Sequence, residues 1–88
     1  MGKTYIVIHD ETVDVITAFC PDFPGVRVPG DRWSDTLTMM PIVLQQHVDK
    51  MLRRGETLPT PTVPDLWEVH AKHRNAIISF VEIDTGED

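Results

Sequence analysis

The segment Phe19-Cys20-Pro21-Asp22-Phe23-Pro24-Gly25-Val26 most constrains what this chain can fold into. It sets turn chemistry between β-patterned residues on one side and a long stretch of helical spacing on the other. Proline presets φ for the first central position of a turn, and glycine accepts the positive φ that the second central position of a type II turn needs. The expectation is a strand arriving through Val15–Phe19, reversing at Asp22–Gly25 and returning through Val26–Val28.

Upstream, Tyr5-Ile6-Val7-Ile8 is β-branched and aromatic and is bounded by His9-Asp10-Glu11. With Val13–Phe19 it reads as an antiparallel hairpin, with Asp10, Glu11 and Asp14 together at the turn. Beyond Pro29-Gly30 the apolar period changes from two to three and four. Leu37, Met40, Leu44, Val48 and Met51 form one helical stripe. Asp31 or Ser34 is placed to cap its start, and Gly55 to end it in a left-handed cap. Arg53 and Arg54 face the negative end of the helix dipole. Pro41 removes a hydrogen bond and clashes with the preceding turn, at about 3 kcal/mol. A kink around Leu37–Pro41 is expected, or a short helical piece followed by the main helix.

Pro59, Pro61 and Pro64 mark a stiff, extended crossing. A short helix is expected over Asp65–Lys72 and a final strand over Ala76–Ile83, whose apolar character points to the interior of the sheet. The fold class is therefore α+β: an antiparallel sheet of about four strands packed on one long, kinked helix plus a short helix. Residues 1–84 form one domain and residues 85–88 a polar tail. The first and last strands are apolar on both faces, so a homodimer, a tetramer or a partner protein is expected to cover part of the second face, the alternative being that the short helix wraps around to it.

Fourteen acidic and eight basic residues give a net charge of −6, which disfavours direct nucleic-acid binding and favours a basic partner. Cys20 is the single cysteine, so no internal disulfide forms, and its apolar neighbours read as core. Neither a signal peptide nor a membrane-spanning run is seen, and a cytoplasmic location is expected. Hairpin carboxylates can hold Mg²⁺ for phosphodiester chemistry, but turns face solvent and these do not converge on a buried point. Glu68, His70 and His73 lack the further ligands that zinc requires. Cys20, Ser34 and Ser79 have no base at diagnostic spacing. No catalytic residue, cofactor or metal site is expected. Trp33 and Trp67 read as core packing or as interface anchors.

The ordered set of motifs resembles the HicB family of antitoxins from toxin–antitoxin pairs. It comprises Tyr5–His9, Pro21-Asp22-Phe23-Pro24-Gly25, Val26–Val28, Gly30-Asp31, Gly55-Glu56-Thr57-Leu58-Pro59, Pro64–Lys72 and Phe80-Val81-Glu82-Ile83-Asp84. The resemblance implies a partial ribonuclease H fold and a non-enzymatic role: binding a small basic RNA-cleaving toxin, HicA, and covering its active surface. Many such antitoxins carry a DNA-binding domain after the last strand; with Asp88 only a few residues past it, that half is expected to be missing here. Asp10, Glu11, Asp14 and Asp22 are then expected to steer the toxin, and Phe23 and Trp33 to anchor it. Two other readings are a stand-alone HicB-like homo-oligomer serving another protein partner and a metal-dependent nuclease using the turn carboxylates.

Overall fold

The computed structural model describes residues 2–13, 15–61 and 76–85. Strand β1 (Gly2–Thr12) is followed by β2 (Val15–Cys20), β3 (Phe23–Gly30), helix α1 (Trp33–Arg53) and β4 (Ile77–Asp84). They make one four-stranded antiparallel sheet in the order β3-β2-β1-β4, with α1 on one face. The α+β expectation holds. Strand β4, expected inside the sheet, is instead an edge, and β1 takes the interior place. Accordingly every residue of Tyr5–His9 is buried.

The first hairpin pairs His9 with Ala18 and Thr12 with Val15, so the chain reverses between Thr12 and Val15. Asp10 and Glu11 thus belong to β1 rather than to the turn. The second hairpin differs from the expected type II turn at Pro24-Gly25. Cys20 pairs with Phe23, which puts the reversal at Pro21-Asp22, and Phe19 pairs with Arg27. Pro24 and Gly25, both exposed, form an irregular outward step within β3 between the buried Phe23 and Val26. Gly55, not Gly25, has the positive φ, at 73°. Pro24 therefore does not begin the reversal; it follows a residue already committed to the core.

Helix α1 runs unbroken through Pro41, not as two pieces. The N-cap position falls to Arg32, not Asp31 or Ser34, and the Asp35 carboxylate accepts the Arg32 N–H at 3.1 Å. The helix ends as expected. Gly55 N–H donates to the Leu52 carbonyl and Glu56 N–H to that of Met51, the paired bonds of a Schellman cap. Its buried face is Thr36, Met40, Leu44 and Val48. Leu37, expected in that stripe, is exposed, and Met51 is half-buried against the core. A strict spacing of four displaces Leu37 by one position and puts Thr36 beneath the sheet.

The core gathers Tyr5, Val7, Ala18, Cys20, Phe23, Val26 and Val28 above Met40, Leu44 and Val48, closed at one edge by Val81 and Ile83. After the helix the crossing segment sends Leu58 into this core. The Tyr5 hydroxyl fastens it by donating to the Pro59 carbonyl at 2.6 Å. Burial, and then the nearby Asp22 charge, push the Tyr5 phenol pKa up. The expected helix over Asp65–Lys72, with Trp67, Glu68, His70 and His73, lies outside the described residues, as does Asp14.

Candidate functional site

Strand alternation decides which polar groups meet. Because core residue Ala18 pairs with His9, the side chains of Tyr5, Val7, His9 and Glu11 share the face toward α1. Asp10 takes the opposite face. Near the end of β1, the hairpin residues Glu11, Thr12, Val15 and Ile16 and the helix-entry residues Asp31, Arg32 and Trp33 enclose a cleft of about 450 Å³.

The wall of this cleft is held by a buried polar relay. The Thr36 hydroxyl donates to the Trp33 carbonyl at 3.2 Å, and its oxygen lies 2.9 Å from His9 Nδ1. With the hydroxyl proton committed to Trp33, His9 Nδ1–H donates to Thr36. His9 Nε2 then accepts from Ser79 Oγ at 2.7 Å. The imidazole is neutral, and burial lowers its pKa. One side chain of β1 thereby ties α1 to β4 beneath the cleft. Among the described residues, every buried side-chain nitrogen and oxygen is hydrogen-bonded. In the sequence His9 reads only as a polar residue at the end of Tyr5–Ile8. Its period-two phase with Tyr5 and Val7 was the signal for a buried partner of the helix.

Of the six residues expected to meet a partner, the five that are described do not form one surface. Glu11 and Trp33 share the cleft. Asp10 lines a depression on the other face with Thr17, Phe19 and Arg27, where the Arg27 guanidinium lies 5.5 Å from the Phe19 ring centre. Asp22 is at the second hairpin turn, about 20 Å away along β2. Phe23 is core: 3% exposed, edge-on to Tyr5 at 4.8 Å and to His47 at 5.6 Å. It offers no side-chain surface to a partner. The expected carboxylate cluster is thus divided between two faces and two ends of the sheet. Among the described residues no three His, Cys, Asp or Glu side chains are placed to hold a metal ion.

Chemically, the cleft is lined by the carboxylates of Glu11 and Asp31, the guanidinium of Arg32 and the half-buried indole of Trp33. Two carboxylates against one guanidinium leave an excess of negative charge, and with the aromatic face they suit a cationic side chain better than a phosphate. The Cys20 thiol is buried, and burial pushes its pKa up, which makes it a poor nucleophile. No described helix is long and apolar enough to cross a membrane.

Among the described residues, a four-stranded sheet backed by one helix, with a charged cleft at one end, defines a small α+β domain. The chain belongs to the HicB-like antitoxin family of bacterial toxin–antitoxin systems, matched over residues 5–87. It is an antitoxin-family domain.

In fold it is similar to the antitoxin HicB of Burkholderia pseudomallei, with a TM-score of 0.76 and 22% identity. That likeness covers 99% of this chain and 64% of the other, so this chain spans somewhat under two thirds of that antitoxin's length. The N-terminal domain of the same antitoxin is similar at a TM-score of 0.66 and 26% identity, over 96% of this chain and 99% of that one. A chain of a HicA3 and HicB3 toxin–antitoxin complex is similar at 0.67 and 24% identity, over 92% and 98%. No curated protein matches the chain.

Proposed function

We propose that this chain binds a small basic HicA-type toxin and neutralises it by covering its RNA-cleaving surface. The observation that carries the reading is the family match over residues 5–87. The net charge of −6 supports it, since opposite charge speeds encounter with a basic protein and repels nucleic acid. The cleft supplies a place for one cationic side chain of the toxin, between Glu11 and Asp31 and against Trp33. Asp10 and Asp22 lie outside the cleft and act only through long-range steering.

Co-purification of this chain with the basic product of its neighbouring gene, followed by an RNA-cleavage assay, tests the proposal. The pair should associate, and cleavage should cease at equimolar antitoxin. Glu11→Gln with Asp31→Asn should slow association several-fold and flatten its salt dependence, whereas Trp33→Ala should mainly speed dissociation. A pair that fails to associate, or a toxin still active in excess antitoxin, refutes it.

A second reading, a homodimer or tetramer, is favoured by one observation: Phe80 on the edge strand is 68% exposed. The two readings are compatible, because the cleft and that edge lie at different ends of β1.

A further inference from the structure

Strand β4 is bonded to β1 along one side, and its other side can be read residue by residue. The Asp84 N–H donates to Gln45 Oε1 and the Asp84 carbonyl accepts from Gln45 Nε2, each at 2.9 Å. Gln45 belongs to α1, so the backbone of Asp84 points away from β1. In an antiparallel strand the N–H and carbonyl of one residue point the same way, and the direction alternates along the chain. Glu82, Phe80 and Ile78 therefore also aim their backbone groups outward, where they meet no partner among the described residues. The Gln45 amide closes this edge at Asp84, and among the described residues nothing closes it at Glu82, Phe80 and Ile78.

Edge strands are normally blunted by charge, proline or a bulge. Here the middle open residue is Phe80, which pairs with Ile6 and shares its face on the side opposite α1. We propose that β4 is the seam at which two copies of this chain join, antiparallel, with Phe80 facing Phe80 of the second copy. This deepens the homo-oligomer reading and is independent of toxin binding.

An occupant of this edge must be an extended strand, and β4 is complementary to itself. With Phe80 opposite its counterpart, Ile78 of each copy faces Glu82 of the other. All three open residues are satisfied on both sides, and neither Gln45 clamp is disturbed. The acidic Glu82 and Asp84 then sit at opposite ends of the seam. Sliding the register to set Glu82 against Glu82 would oppose like charges and require the Asp84 backbone that Gln45 already holds. The Phe80 pair, with Cα atoms about 5.5 Å apart, supplies the aromatic contact of an antiparallel ladder. The two sheets become one, and the Glu11 cleft, about 15 Å farther along β1 from the Ile6–Phe80 pair, stays open.

Sedimentation equilibrium of the full chain should show twice the 10.0 kDa mass. Phe80→Pro removes the ring and one outward N–H while leaving the bonds to β1, so it should keep the circular dichroism spectrum and weaken dimerisation at least tenfold. Phe80→Lys and Phe80→Glu should each be monomeric, and an equal mixture should dimerise, because position 80 faces itself. A monomeric wild-type chain overturns both the seam and the homo-oligomer reading; if Phe80→Pro then abolished toxin binding, the edge would belong to the toxin. A dimer that survives in Phe80→Pro and Phe80→Lys, or a mixture that remains monomeric, overturns the seam alone.

Discussion

His9 Nδ1 lies 2.9 Å from Thr36 Oγ1, joining the central strand to the first turn of the helix across 27 residues of sequence. The bond requires a neutral imidazole because Ser79 donates to the other ring nitrogen. Above the ordinary histidine pKa of about 6.5, both folded and unfolded states leave His9 uncharged and the stability is complete. Below it the unfolded chain takes up a proton that the folded chain resists until its own lower pKa. Stability should therefore fall as the pH drops below about 6.5 and level off only below the lowered pKa of the folded state. His9→Asn should lower the melting temperature at neutral pH and flatten the acid side of its pH profile. An unchanged slope would show that His9 does not carry the linkage.

Phe23 is the ring against which Tyr5 and His47 pack. Phe23→Ala should cost about 3–5 kcal/mol, most of the stability of a domain this size. Thermal unfolding should show a lost or greatly lowered transition. Any defect in toxin binding should track the unfolded fraction rather than precede it.

Two glycines separate the observed turn chemistry from the expected one. Gly55 has a φ of 73°, so Gly55→Ala should destabilise by about 1 kcal/mol despite open space around its Cβ position. Gly25 has no left-handed conformation and also faces open space, so Gly25→Ala should change stability by no more than about 0.5 kcal/mol. Denaturant melts of the two variants give the comparison. A larger loss at Gly25 would restore the type II turn.

Gln45 holds the backbone of Asp84 by two hydrogen bonds from an exposed face of the helix. Gln45→Ala should cost about 1 kcal/mol. Hydrogen exchange should show the Asp84 amide losing protection, while amides of β1 that face β2 keep theirs.

Features encoded locally were the ones legible in the sequence. The change of period after Gly30 located sheet and helix, and Gly55 marked the helix end because one residue's φ suffices for such a cap. Strand order was not legible. The apolar content of Ile77–Asp84 reads as burial whether a second strand or solvent lies beyond it. Thr36 was passed over for Leu37 because its polarity hides a core position, and only the position of His9 explains a hydroxyl there. The cleft was half legible. Glu11 and Trp33 were both singled out, but their meeting depends on how the hairpin end and the helix entry come together, which periodicity does not report. Pro24-Gly25 carries the turn chemistry in the sequence, but the entry of Phe23 into the core sets the reversal at Pro21-Asp22.

The irregular step in β3 acts as a phase shift. In an unbroken strand, Phe23 and Val26 would stand on opposite faces, because their separation is odd. The step returns both to the core. Its presence is therefore what an odd separation demands. Losing one residue between them would make the separation even, and a regular strand would then hold both side chains in the core with no step at all. Pro24 and Gly25 serve as a phase corrector, and what they correct is a count of residues rather than a chemistry.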